Sequence, residues 1–135
     1  MSREIKFRGK NGKGTWVYGD LAHLGNGIVI FLRGKYDLEE MVLVCSDTVG
    51  QYTGLKDKNG VEIYEGDIVD VWSQGSHITD GIIKWGNGRC GFFIGNPANS
   101  IVWNLSGDQY GCETLKVIGN IHDNPELTAI EEDTK

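Results

Sequence analysis

Apolar positions in this chain alternate over short runs, and nearly every run is bounded by glycine, asparagine or aspartate. That pattern specifies short strands joined by tight turns. Ile5 and Phe7 alternate with Glu4, Lys6 and Arg8, so residues 4–8 read as a strand with one apolar and one charged face, ended by Gly9-Lys10-Asn11-Gly12. Trp16, Val17 and Tyr18 continue as a second strand closed by Gly19-Asp20, which gives an N-terminal hairpin. The run Ile28-Val29-Ile30-Phe31-Leu32 is apolar on both faces and suits a sheet centre. A polar stretch over 33–40 reads as a loop or one helical turn before Met41-Val42-Leu43-Val44-Cys45 resumes a strand.

The densest local code lies between Thr48 and Trp72. Asn59-Gly60, flanked by Leu55 and by Val61 and Ile63, predicts a hairpin with a two-residue type I′ turn. Gly66-Asp67 then breaks the chain at a sharp corner, and Ile68, Val69, Val71 and Trp72 begin a long strand. In this stretch Asp57, Asn59, Gly60, Gly66 and Asp67 are assigned structural turn roles: the glycines supply backbone freedom and the short polar side chains bond to nearby backbone. After the polar connector 73–76, segments 80–85 and 89–94 form a second hairpin around Gly86-Asn87-Gly88. Short strands follow at 101–105 and 113–118. Asn124 as N-cap, Pro125 at the first helical position and Glu126 in the first turn predict a helix over about 125–131.

The expected fold is therefore mainly β: a single domain over 1–135, built as a twisted antiparallel sheet or a small, partly open SH3-like or OB-like barrel, with an N-terminal hairpin and a short C-terminal helix. A subdivision into an N-terminal sheet layer, 1–46, and a barrel-like part, 47–123, is compatible with the spacing. Composition agrees, since 20 glycines stand against 2 prolines among 135 residues, a ratio that punctuates the chain at short intervals.

Charge and cysteines narrow the function. The net charge of −6 disfavours a surface devoted to nucleic-acid phosphates, although Arg3, Lys6, Arg8, Lys10 and Lys13 make the N-terminus locally basic. Cys45, Cys90 and Cys112 are odd in number and show no metal-ligand spacing, so they read as reduced thiols of a cytoplasmic protein. No run approaches the ~20 apolar residues that span a bilayer, so no membrane partner is expected.

Four separated motifs carry a family resemblance. Arg3-Glu4-Ile5-Lys6-Phe7-Arg8-Gly9, Trp16-Val17-Tyr18-Gly19-Asp20-Leu21, the run from Val49 to Gly60 continuing through Ile63-Tyr64-Glu65-Gly66-Asp67-Ile68-Val69, and Val117-Ile118-Gly119-Asn120-Ile121-His122-Asp123-Asn124-Pro125-Glu126-Leu127 together resemble the YopX family of bacteriophage and prophage proteins. The resemblance implies a small phage-encoded β-rich protein and supplies no catalytic residues.

The residues themselves point away from catalysis. Glu62, Glu65, Asp67 and Asp70 are close in sequence but lack the spacing of an acid–base pair or a metal site; His23, His77 and His122 each stand alone beside a turn. The serines lack a nucleophile elbow and the glycines lack a P-loop ending. No catalytic residue, metal or cofactor is expected. The expected function is that of a non-catalytic interaction or self-assembling accessory module, whose partner is a second copy or another protein. The first alternative is weak binding of single-stranded nucleic acid through Tyr52, Trp72 and Trp85 with Lys56, Lys58, Lys84 and Arg89, and it requires those rings to be exposed; the second is a hydrolase-type enzyme whose site is not visible in the sequence.

Overall fold

The computed structural model describes residues 4–32, 40–73, 75–86, 91–95, 101–104 and 115–127. They form two antiparallel sheets, neither closed into a barrel, and the chain divides into two compact units, Met1–Tyr52 and Thr53–Lys135.

In the first unit β1 (Phe7–Lys10), β2 (Trp16–Leu24), β3 (Gly27–Phe31) and β4 (Met41–Val44) are followed by a single 3-10 turn over Ser46–Thr48 and by β5 (Gly50–Lys56), which crosses the unit boundary. The strand order is β4-β3-β2-β1-β5, with the short β6 (Glu62–Tyr64) added beyond β5, so β5 returns to pair with the first strand. The first strand begins three residues later than the charge alternation suggests, and Gly9 and Lys10 lie inside it. Gly9 is there because of its size: a Cβ at this position would stand 3.1 Å from Val44 Cβ, so the missing side chain lets β4 approach. Thr48 Oγ1 caps the same junction, accepting the Lys10 N–H at 2.8 Å.

β2 is long because it serves two partners. Residues 16–19 pair with β1 and residues 20–24 pair with β3, with Gly19 at the changeover. A Cβ on Gly19 would fall 2.1 Å from the Phe31 carbonyl oxygen, so the crossing is possible only without a side chain.

The second unit repeats this plan. The five strands other than β6 (Glu62–Tyr64) are β7 (Asp67–Ser73), β8 (Ser76–Trp85), β9 (Phe92–Gly95), β10 (Ile101–Asn104) and β11 (Leu115–Asn120), in the order β10-β9-β8-β7-β11. Again the second strand is long and the last pairs with the first. The correspondence extends to single residues. Phe7 pairs with Gly19 and Gln51 in one sheet, and Val69 pairs with Gly81 and Val117 in the other. Gly81 also sits at a crowded crossing, with Ile94 Cγ2 2.3 Å from where its Cβ would be.

The core of this unit is Ile63, Val69, Val71, Ile83, Phe92, Ile94 and Leu115, with Leu55 and Val117 packed on it. Ile63 and Val69 are wholly enclosed, and each such side chain contributes roughly 2 kcal/mol by leaving water. The predicted C-terminal helix is not shown: Glu126 and Leu127 are helical, and 128–131 lie outside the described residues. Asn124 does not cap forward as expected. Its Oδ1 reaches back and accepts the Asn120 N–H at 3.2 Å, over the space left by Gly119.

Candidate functional site

The hairpin tip is built around one carboxylate. Asp57 Oδ1 accepts the N–H groups of Asn59 and Val61 at 2.8 and 2.9 Å, and the Gly60 N–H returns to Asp57 O. Since Asp57 and Val61 close the ladder, the loop holds three residues, 58–60, rather than the two of the expected type I′ turn. Gly60 takes the positive φ, 83°, that ends such a loop. The other oxygen, Asp57 Oδ2, accepts the Val117 N–H at 2.8 Å, and the Lys58 N–H donates to Leu115 O at 3.0 Å. Asp57 is 3% exposed, while Lys58, Asn59 and Gly60 face solvent. The tip is thus an exposed loop fastened at its root to β11.

The following corner is braced similarly. Asp67 Oδ2 accepts the Tyr64 N–H at 2.7 Å, Gly66 has φ 93°, and its N–H and carbonyl bond to Ile83 and Ile121. Glu62 receives the Tyr64 hydroxyl at 3.1 Å.

The aromatic and basic residues singled out in the sequence differ in burial and in what they touch. Tyr52 is 4% exposed beneath Lys6, whose Nζ lies 5.3 Å from the ring centroid. Lys58 and Trp72 do meet, with Nζ 5.0 Å from the indole centroid, and Trp72 is half-buried. Trp85 is 50% exposed and packs edge-on against Phe92, its cross-strand partner, at 4.8 Å. Lys84 precedes it on the opposite strand face, and Lys56 is exposed on β5. Arg89, Cys90 and Cys112 lie outside the described residues.

Trp72 also leads to a cluster that the sequence did not reveal. His77 is not isolated in a turn; it lies in β8, opposite Trp72, with the two rings edge to face at 5.5 Å. The pairing skips a residue there: Val71 faces Thr79 and Trp72 faces His77, which leaves Ile78 as the extra residue of a bulge. Without the bulge His77 and Asp80 would point to opposite faces; with it they share one. His77 Nε2 lies 2.8 Å from Asp80 Oδ1 and 3.7 Å from Asp70 Oδ1. Asp70 and Asp80 are themselves direct cross-strand partners, and Lys116 on β11 faces Asp70 from the other side. One polar atom from each of Asp70, His77 and Asp80 lies within 4.8 Å of the other two.

This crowding separates the two carboxyls. Asp70 is raised above the ordinary carboxylate value by its hydrogen bond to Asp80, then by desolvation and the Asp80 charge, against opposing pulls from His77 and Lys116. Desolvation pushes Asp80 up, yet the hydrogen bonds from Asp70 and His77 and the His77 charge outweigh it, and its value falls.

The other notable surface is apolar. On β3 and β4, Ile28, Ile30, Val42 and Val44 share one face, and Val29, Phe31, Met41 and Leu43 share the other. On that second face Leu43 is 65% exposed and Leu24, in the register of Gly27, is 47% exposed. Met41–Val44 ends its sheet and carries no charge, proline or bulge.

Residues 6–129 match the family described as YopX protein. The chain belongs to the YopX family. Its YopX fold is similar to the crystal structure of protein EF1440 from Enterococcus faecalis, with 28% sequence identity, a TM-score of 0.55, and coverage of 94% of this chain and 99% of that one. No curated protein matches the chain.

Proposed function

We propose that this YopX chain is a non-catalytic, phage-derived accessory protein of the cytoplasm that assembles with copies of itself through the β4 edge. The observation that carries the reading is Leu43, the most exposed large apolar side chain among the described residues, on an uncharged terminal strand. Soluble proteins protect such edges with lysine, proline or bulges, because an open edge templates pairing with another strand. In a chain of net charge −6, a strand without charge is also a place where two copies meet without repulsion. An antiparallel β4 pair about a two-fold axis would join the edges and bring Leu43 and Leu24 of each copy toward apolar cover. The non-catalytic part of the reading draws on Asp67 and Glu62, whose carboxylates are engaged with Tyr64.

Light scattering across a concentration series tests the assembly. A dimer or larger species is expected for the native chain and a monomer for Leu43→Lys. A native chain that stays monomeric at high concentration defeats the reading.

A further inference from the structure

We propose that Asp70, Asp80 and His77 form a proton-operated latch on the β7–β8 hairpin, which holds the strands together around the bulge in mild acid and releases them as the proton leaves. The geometry sets up the conflict. Two carboxyls directly opposed on adjacent strands repel when both are ionised, and they attract when one donates a hydrogen bond to the other. Among the described residues the groups that face them are Asp70 on β7, His77 and Asp80 on β8, Lys116 on β11, and Lys58 of the 58–60 loop, which acts on Trp72. Lys116 offsets one negative charge from its side, and a protonated His77 offsets the other where Nε2 meets Asp80 Oδ1.

Facing Asp80 across the ladder and losing water both favour the neutral form of Asp70, so the pair retains one proton above the ordinary carboxylate range. An acid with a raised folded-state value contributes stability below its unfolded value, and that contribution is lost as pH rises through the folded value. Asp80 works at the other limit: its lowered value means that its contribution is present above the unfolded value and disappears as pH falls through the folded one. The latch is therefore closed in the window between the two and opens toward neutrality. Opening loosens the bulge, and Trp72, which packs on His77 across the bulge, loses that contact.

Amide hydrogen exchange at residues 72–77, corrected for intrinsic rates and followed over about pH 3 to 8 with chelator present throughout, reads the latch locally. The native protein is expected to lose a few-fold protection as pH rises above the ordinary carboxylate range. Asp70→Asn, whose amide donates to Asp80 at every pH, should keep its protection and lose the pH dependence. His77→Gln should steepen it, since the ring that lies 2.8 Å from Asp80 Oδ1 and 3.7 Å from Asp70 Oδ1 no longer stands between the facing carboxylates and solvent. A flat native profile, or an Asp70→Asn profile that tracks the native one, overturns the proposal; a His77→Gln profile identical to the native one overturns the three-group latch. Self-assembly is followed separately by Leu43→Lys, on which the latch should operate unchanged.

Discussion

Asp57 Oδ2 accepts the backbone N–H of Val117 at 2.8 Å, and this bond joins residues 60 apart in the chain. With its other oxygen serving Asn59 and Val61, one buried carboxylate organises a loop and ties it to the final strand. Such hydrogen bonds to a charged acceptor are worth about 1.5–3 kcal/mol each. Asp57→Ala should therefore destabilise the protein by roughly 3 kcal/mol or more, with three N–H groups left to find other acceptors. Asp57→Asn should cost less, since Oδ1 can still serve the loop while an NH2 group faces Val117. Urea unfolding of the two variants checks the order.

Gly19 and Gly81 hold equivalent places in the two sheets, yet alanine should not be equally tolerated at both. At Gly19 the obstacle is the backbone carbonyl of Phe31, which cannot turn away. At Gly81 it is first the Ile94 side chain, which can change rotamer at a cost of about 1–3 kcal/mol for overpacking. Thermal unfolding should place Gly19→Ala below Gly81→Ala, and the reverse order would mean that β2 can shift its crossing.

Lys58→Ala should cost about 0.5–1 kcal/mol, the value of an exposed cation over an aromatic face. Because Lys58 covers part of the Trp72 ring, the variant should also show a red shift in tryptophan emission. An unchanged spectrum would mean that the ammonium does not shield the indole in solution.

Fluorescence anisotropy with single-stranded DNA and RNA at low salt should show no micromolar, salt-sensitive binding. Tyr52 is enclosed and Trp72 is partly covered, which leaves Trp85 as the one exposed ring of the three. Binding that weakens with salt and is lost in Trp85→Ala would restore nucleic acid as a partner.

Much of the strand pattern was legible because β-branched runs and glycine breaks are local signals. Ile28–Phe31 and Met41–Val44 are read directly from unbroken apolar runs, and the hairpin after Leu55 from alternation around Asn59-Gly60. The shifted start of β1 was not, since Gly9 is in a strand for the sake of Val44, a residue far along the chain. The loop at Asp57 is one residue longer than Asn59-Gly60 alone predicts, because the Asp57 carboxylate gathers the two N–H groups around it. His77 was hidden for a sharper reason. Three residues separate it from Asp80, a spacing that in a regular strand sends the two side chains apart, and only the bulge at Ile78 reverses that. No residue type at 78 announces a bulge. The matching strand orders were equally silent, because register is written in backbone hydrogen bonds between distant segments.

The pairing of β5 with β1 and of β11 with β7 has a consequence for synthesis. The six-stranded sheet has all of its strands once the segment from Phe7 to Tyr64 has left the ribosome. The other must wait for Leu115 to Asn120, and until then β7 has one flank unpaired. A nascent chain stalled before that point leaves Val69 and Val71 beside an unpaired strand flank, the kind of edge that templates association with other chains.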